Sequence, residues 1–179
     1  DDNQRLTKLI EQLLSFSRLD AGQLAPKFEP FDLRELIDEA ILEMSPIAEA
    51  KEISLDLVAS AEIEMVADRE QIRLLITNLL DNAIKYSSVD SRVSISVQPG
   101  DRMTTISITD TGIGIKEDDI DQIFGRFFRA DMAEVRHETG TDLGLAIVRG
   151  ILDAHGGNVE VRSQIGEGSE FKVLIPTSG

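Results

Sequence analysis

The sequence predicts an α+β protein, a two-layer α/β sandwich in which three larger helices cover one face of a mixed sheet of about five strands. Along most of the chain, segments with apolar residues at helical spacing alternate with segments of period-two alternation. Most strand segments come in pairs separated by short turns, which indicates hairpins. One isolated helix precedes this unit.

The isolated helix is predicted from a stripe of apolar residues at helical spacing, which are Leu6, Leu9, Leu13 and Phe16. The stripe is broad enough for a helical bundle, although packing on the chain's own domain is the alternative. It ends at Gly22, and prolines follow. We therefore expect a helix within residues 1–22, a linker at 23–30 and one domain at 31–179. The chain opens in mid-helix without a start methionine, so we expect it to be a piece of a longer protein.

The domain is expected to alternate between helices and strands. The apolar spacing predicts helices at residues 33–51, 69–87, 118–128 and 143–155. Period-two alternation predicts strands at residues 53–58, 63–66, 93–97, 105–109, 159–162 and 171–175. Asp32 is the expected cap of the first helix, and Gly156 with Gly157 ends the last one. A Gly166-Glu167-Gly168 turn is expected between the last two strands.

Composition excludes several classes of function. The chain has 33 acidic and 18 basic residues, a formal net charge of −15, so a nucleic acid backbone would be repelled. It has no cysteine, which removes disulfides, zinc-thiolate sites and thiol nucleophiles. No apolar run approaches the roughly 20 residues that span a bilayer, and no signal peptide opens the sequence. No Walker-type G-x-x-x-x-G-K-[ST] is present, which removes a P-loop site.

A polar stripe lies beside the core-facing side of the helix at residues 69–87. Asn78, Asn82 and Lys85 are spaced i, i+4 and i+7, so their side chains fall within an arc of roughly 60°. An amide oxygen suits Mg²⁺, and a lysine one turn further along can meet a phosphate. Taken alone, such a stripe is usually a solvated helix face.

The sequence contains two glycine-containing loops, of which the first follows a predicted strand and the second opens a predicted helix. Asp110-Thr-Gly-Ile-Gly-Ile115 comes directly after a strand, and its aspartate suits an exocyclic amine such as that of adenine. Gly140-Thr-Asp-Leu-Gly-Leu145 opens a helix whose amides and dipole favour an anion. Phe124-Gly-Arg-Phe-Phe-Arg129 lies between them. Each loop alone could be an ordinary turn.

Taken in order, these segments resemble the conserved boxes of the histidine kinase catalytic domain, which belongs to the gyrase-type ATPase superfamily. Residues 78–87 resemble the N box, 110–115 the G1 box, 124–129 the F box and 140–145 the G2 box. The resemblance runs from residue 31 to residue 176 and implies a Bergerat-type ATP-binding fold. Residues 6–22 look like the end of the second helix of the dimerisation and phosphoacceptor domain.

The resemblance implies a role for each matching residue. Asp110 would accept the adenine amine, with Gly112, Gly114 and Ile115 around it. Asn82 would bind Mg²⁺, and Lys85 and Tyr86 would line the ATP. Further contacts to the nucleotide, chiefly its phosphates, are expected from Gly140, Thr141, Asp142, Leu143, Gly144 and Leu145, and Arg126 or Arg129 would approach the triphosphate. Residues 130–139 would form a lid.

The resemblance also implies partners and a location. ATP and Mg²⁺ are the expected cofactors, and the phosphoacceptor histidine is expected on the dimerisation domain of the same kinase. A receiver domain of a response regulator is the expected further partner. The parent is expected to be a homodimer, with this chain as the cytoplasmic portion of a membrane-bound sensor.

Asn78 favours a kinase over a hydrolase. In hydrolytic relatives the matching position is typically a glutamate that activates water, and an amide cannot act as that base. His137 and His155 are not expected to accept phosphate, because the family's acceptor lies on a helix upstream of this sequence. We expect His155 to be a structural residue at a helix end and His137 a loop residue.

Asp142 departs from the Gly-Thr-Gly-Leu-Gly-Leu pattern of the family, which has glycine at this position. Its carboxylate either turns to solvent or weakens ATP binding by repelling the phosphates. Three hypotheses follow: a kinase catalytic domain, an ATPase of the same superfamily, and a nucleotide-binding pseudokinase module.

Overall fold

The computed structural model describes residues 10, 25–59, 62–125 and 143–177. Among these residues, the helices of the domain are α1 (Leu33–Ala50), α2 (Arg69–Tyr86), α3 (Glu117–Ile120) and α4 (Gly144–His155). The strands are β1 (Glu29–Asp32), β2 (Ser54–Val58), β3 (Glu64–Ala67), β4 (Arg92–Gln98), β5 (Met103–Asp110), β6 (Asn158–Gln164) and β7 (Gly168–Pro176). Ile10 is helical, and the rest of the expected amino-terminal helix lies outside the described residues.

Five strands form one mixed sheet, in the order β2-β4-β5-β7-β6. β2 pairs with β4 in parallel, and the other neighbours are antiparallel. The pairs β4-β5 and β6-β7 are the expected hairpins. β1 and β3 form a separate antiparallel ribbon. The predicted mixed sheet is therefore confirmed.

The three long helices cover the sheet and bury its inward face. α2 lies in the middle, packed against α1 on one side and α4 on the other. α2 also contacts β4 and β5, whereas α1 contacts β2 and α4 contacts β6 and β7. Along β4 and β7, buried positions alternate with half-exposed ones, as a sheet covered on one face requires. The two-layer sandwich follows from this alternation.

Both ends of α1 are set by local signals. The Asp32 carboxylate accepts a hydrogen bond from the Arg34 backbone N–H at 2.8 Å, the predicted cap. At the other end Glu52 takes a left-handed conformation with φ of 58°. The Ile53 N–H then donates to the Ala48 carbonyl at 2.9 Å, which closes a Schellman motif. The helix therefore begins and ends close to where the sequence predicts.

The segment before α1 is attached to the domain, which the sequence did not predict. β1 begins at Glu29, inside the stretch 23–30 that we expected to be a linker. Pro30 is tolerated because β1 belongs to a two-stranded ribbon, in which a strand has one unpaired edge. The Lys27 N–H donates to the carboxylate of Asp68, the cap of α2, at 2.9 Å. These contacts join the segment to the start of α2.

The helix predicted at residues 118–128 is shorter than expected. α3 has four residues and is followed by turns up to Gly125, and residues 126–128 lie outside the described part of the chain. Asp118 and Asp119 lie in its first turn, where carboxylates favour a helix start, and its C-cap is Asp121, a residue of low helix propensity. None of the described helices combines the length and apolar character needed to cross a membrane.

Candidate functional site

On the inward face of the sheet, paired residues of neighbouring strands form rows across the sheet, which we call rungs. Along the strands these rungs change from apolar to polar. Two successive rungs across β4, β5, β7 and β6 are apolar and consist of Val97, Ile106, Val173 and Val159, and of Ile95, Ile108, Phe171 and Val161. The next rung consists of Val93, Asp110, Ser169 and Ser163, and we call it the polar rung. The core layer therefore ends in polar groups at the carboxyl end of β5.

Asp110 is a buried acceptor in the polar rung, with 5% of its surface exposed. Its Oδ1 accepts a hydrogen bond from the Gly112 N–H at 2.8 Å. Burial raises the pKa of the Asp110 carboxyl, and backbone hydrogen bonds from Gly112 and Ser169 partly offset this rise. A carboxylate held in this way presents a strong, fixed acceptor to a ligand donor.

The loop after β5 lies close to the end of α2 and to β6. The Ile113 N–H donates to the Tyr86 carbonyl at 3.2 Å. A Cβ on Gly112 would collide with that same carbonyl, so only glycine fits there. Gly114 has φ of +73°, and a Cβ on it would collide with the Gln164 carbonyl. The two glycines of the predicted motif thus let the loop pack against two neighbouring elements.

The polar residues of α2 lie on the side that connects this loop to α4. Asn78 is buried, with 6% exposed, and its Nδ2 donates to the Leu74 carbonyl at 2.7 Å. Asn82 and Lys85 are half-buried, and the Lys85 Nζ lies 4.6 Å from the centre of the Tyr86 ring. The stripe therefore divides into a buried amide and two residues that a ligand can reach.

The amino end of α4 is the second half of the site. Leu143 stands at the N-cap position, is 3% exposed and has no side-chain oxygen to cap the first turn. Gly144 begins the helix beside Asn78, and Leu145 is half-buried. The helix has 12 residues, so the first-turn amides and the dipole favour an anion at this end.

Several residues predicted for the site lie outside the described residues. They are Arg126, Arg129, Gly140, Thr141 and Asp142, together with His137. Their roles stay predictions from the resemblance.

Two further residues of the site were missed by sequence reasoning. Ser169 pairs with Asp110 across β5 and β7, and its hydroxyl lies 2.9 Å from that of Ser163. Each of the two continues an alternation of inward apolar residues, since Val159 and Val161 lead to Ser163 on β6, and Val173 and Phe171 lead to Ser169 on β7. Serine at an inward position next to apolar residues marks a polar group within a buried face.

His155 has the structural place expected of it. It is 6% exposed, its Nδ1 lies 2.8 Å from the Ile151 carbonyl, and its Nε2 accepts the Asp68 N–H at 3.2 Å. The first contact requires a proton on Nδ1 and the second requires Nε2 to be unprotonated, which defines a neutral ring. The ring of Phe28 packs edge-on against the His155 ring, with 5.4 Å between the two ring centres. His155 therefore joins the end of α4 to the cap of α2.

The arrangement suits a ligand with a hydrogen-bond donor at one end and negative charge at the other. Asp110 offers the acceptor, and α4 offers its amino end. Asn82 and Lys85, the half-buried residues of the α2 stripe, connect the two. Among the described residues no group of three or more His, Cys, Asp or Glu side chains could hold a metal ion.

Comparison with known families settles the class of the domain. Residues 67–179 match the model described as "Histidine kinase-, DNA gyrase B-, and HSP90-like ATPase". The chain belongs to this ATPase family. The match covers α2, the loop after β5, α4 and the β6-β7 hairpin, which are the elements that form the site.

Within this ATPase family, the relatives named histidine kinases match almost the whole chain. The sensor-like histidine kinase SenX3 of Mycolicibacterium smegmatis is 36% identical over 98% of this chain and 46% of its own length. The circadian input-output histidine kinase CikA of Synechococcus elongatus is 34% identical over 98% of this chain and 24% of its own. The chain thus spans less than half the length of these relatives. It carries the ATP-binding catalytic domain of the histidine kinases.

Solved structures agree with the fold. Full-length ShkA in complex with AMPPNP superposes with a TM-score of 0.86 at 29% identity, over 98% of this chain and 36% of that one. The histidine kinase AdeS of Acinetobacter baumannii has a TM-score of 0.80 at 26% identity, over 98% of this chain and 80% of that one. The ATPase family to which the chain belongs supports ATP as the ligand.

Proposed function

We propose that this chain binds ATP with Mg²⁺ and transfers the γ-phosphate to a histidine on the dimerisation and phosphoacceptor domain of the same kinase. The observation that carries the proposal is the buried Asp110 acceptor in the polar rung, with the loop 110–115 packed between α2 and β6. The family to which the chain belongs supplies the class of nucleotide.

At the base end, Asp110 accepts a hydrogen bond from the exocyclic amine of adenine. Gly112 and Gly114 keep the loop close to Tyr86 and Gln164, so the backbone forms a wall of the pocket. Ile115 and Tyr86, both half-buried, supply apolar surface for the base and sugar. The raised pKa of Asp110 is the result of the burial that a base pocket requires.

At the phosphate end, Asn82 offers its amide oxygen to Mg²⁺ and Lys85 offers a positive charge. The amides of the first turn of α4, which begins at Gly144, and the dipole of this helix favour an anion. By resemblance, the backbone of Gly140 and Thr141 adds further contacts, and Arg126 or Arg129 meets the triphosphate. Positioned positive groups of this kind stabilise phosphoryl transfer.

Asn78 supports transfer to a protein over hydrolysis. Its amide is neutral and buried, and its Nδ2 is already bonded to the Leu74 carbonyl. It therefore cannot take a proton from water. The nucleophile must come from elsewhere, which fits a histidine on another domain.

The assignment extends to partners. The parent kinase is proposed to be a homodimer through its dimerisation domain, and a response regulator receiver domain is proposed to take the phosphate from the histidine. Nucleic acid is not a proposed partner because of the net charge of −15. We also propose that the domain works in the cytoplasm, where ATP is supplied.

A reconstitution experiment tests this function. The chain is mixed with ATP, Mg²⁺ and a separately made dimerisation domain that carries its histidine. An acid-labile phosphoprotein is expected on the dimerisation domain, and none on His137 or His155 of this chain. Release of free phosphate would favour the ATPase alternative. Nucleotide binding without either product would favour the pseudokinase alternative, in which Asp142 impairs the site.

A further inference from the structure

The Ser163 hydroxyl uses all of its hydrogen-bonding capacity at the base end of the site. Its Oγ accepts the Ile115 N–H at 2.8 Å and donates to the Gly168 carbonyl at 2.8 Å. The Ser169 hydroxyl lies 2.9 Å away. A hydroxyl has one donor and two acceptor positions. Because Ser163 donates its own hydrogen to the Gly168 carbonyl, the Ser169 hydroxyl must be the donor in its contact with Ser163. Ile115 lies in the loop after β5, whereas Gly168 and Ser169 are consecutive residues at the start of β7.

These segments are the ones that position Asp110. Ile115 ends the loop after β5, and Ser169 is the residue of β7 that pairs with Asp110. Ser163, Ser169 and Asp110 also share the polar rung. The Ser163 hydroxyl on β6 is therefore bonded directly to one end of the loop 110–115, at Ile115. It is connected to the other end, at Asp110, through Ser169.

We propose that Ser163 is a positioning residue for nucleotide binding, which acts by fixing the loop 110–115 and Ser169 so that Asp110 meets the base. The proposal rests on the ATP-binding function above. Ser163 reaches the site through the loop and the sheet, and the three hydrogen-bond partners described above lie outside α4. Its loss should therefore affect the base end and leave the phosphate end unchanged.

Substitution of Ser163 in the full 179-residue chain tests this, with binding of ATP, ADP and adenosine measured by calorimetry. We expect Ser163→Ala to weaken all three by the same factor of about ten, since a lost buried hydrogen-bond partner has this order of effect. In the reconstituted reaction the KM for ATP should rise by that factor with kcat unchanged. Ser163→Thr keeps the hydroxyl and should bind within about twofold of wild type.

A matched control is Ser96→Ala, on β4 and on the sheet face opposite Asp110, which should bind like wild type. Amide hydrogen exchange at Ile115 should become faster in Ser163→Ala only, because its N–H loses its acceptor. If Ser163→Ala does not fold, Ser163→Cys replaces it, since a thiol is a poor donor and acceptor of similar size.

The outcomes separate this inference from the function on which it rests. Wild-type affinity in Ser163→Ala, or in Ser163→Cys when it replaces it, would overturn the positioning role. So would a Ser163→Thr variant that binds as weakly as Ser163→Ala. A larger loss for ATP than for adenosine would also overturn it, because the effect would then lie at the phosphates. If the wild-type chain does not bind ATP at all, the proposed function itself fails and the inference fails with it.

Discussion

The amide oxygen of Asn78 lies directly against the backbone of Gly144, where α2 meets the start of α4. A Cβ built on Gly144 would come 2.9 Å from the Asn78 Oδ1, closer than such contacts normally are. Asn78 is held in place by its Nδ2 hydrogen bond to the Leu74 carbonyl. The close contact thus fixes how near the anion-favouring end of α4 comes to the polar stripe of α2.

Gly144→Ala is expected to weaken ATP binding about tenfold, because the added methyl pushes the start of α4 away from Asn78. Calorimetric titration with ATP measures this. Gly150→Ala, further along the same helix, is the control and should keep wild-type affinity. Unchanged affinity in Gly144→Ala would mean that the Asn78 contact does not position α4.

Asp110→Asn is expected to lower ATP affinity by ~10- to 100-fold, because an amide offers one acceptor oxygen and no charge to the adenine amine. The measurement is a calorimetric titration, with circular dichroism to verify folding. Asp101→Asn, in the exposed turn between β4 and β5, is the control. A folded Asp110→Asn variant with full affinity would contradict the assignment of Asp110 to the base.

The raised pKa of Asp110 predicts a pH dependence of stability. Between its ordinary value of 3.8 and the raised pKa, the folded protein retains a proton that the unfolded chain has released. The contribution of Asp110 to the free energy of unfolding is therefore largest below pH 3.8 and falls as the pH rises through this window. Denaturant unfolding of wild type and Asp110→Asn across this window should show wild type losing stability relative to the variant. A pH-independent difference would contradict the burial effect.

Asn82→Ala is expected to abolish the gain in ATP affinity that Mg²⁺ provides, while affinity without Mg²⁺ stays unchanged. Asn82 is half-buried, so the fold should survive the change. Titrations with Mg²⁺ and with EDTA give the two affinities. Thr77→Ala, on the same helix, is the control for a polar truncation. The same Mg²⁺ dependence in Asn82→Ala and wild type would exclude Asn82 as a ligand.

Glu52→Gly is expected to stabilise the domain by ~0.5–1 kcal/mol, because glycine adopts the left-handed conformation without steric cost. Glu52 has φ of 58° and occupies the position of the Schellman motif that glycine favours. Urea unfolding measures the change. Glu49→Gly, within α1, should destabilise the domain and serves as the reverse control. A loss of stability in Glu52→Gly would show that its side chain contributes more than the backbone strain costs.

Asp142→Gly is expected to tighten ATP binding more than ADP binding and to increase phosphotransfer to a supplied dimerisation domain. An extra negative charge near a triphosphate costs ~1–4 kcal/mol, depending on the local dielectric. Parallel titrations with ATP and ADP measure the difference. If the variant binds ATP no better and transfers phosphate no faster, the Asp142 carboxylate points to solvent and does not impair the site.

The sequence by itself determined the local structure and the family. Asp32 and Asp68 each accept a hydrogen bond from the first turn of a helix, so a few adjacent residues define where α1 and α2 begin. The period-two alternation and the turn glycines likewise predicted the two hairpins. The family motifs also lie in short segments, which is why Asp110 and the loop after it could be found in the printed sequence.

Only the tertiary structure decided which distant residues share the site. β1 was missed because its partner β3 lies about 35 residues away, and because Pro30 is a residue that sheets accept only at an edge. Ser163 reaches Asp110 through Ser169 only because three strands align in one register. Register is set by pairing between residues far apart in sequence, and a slip by one residue would turn every side chain to the other face. For this reason the spacing of Asn78 and Asn82 could be calculated from one helix, whereas the burial of Asn78 against Gly144 required the packing of two.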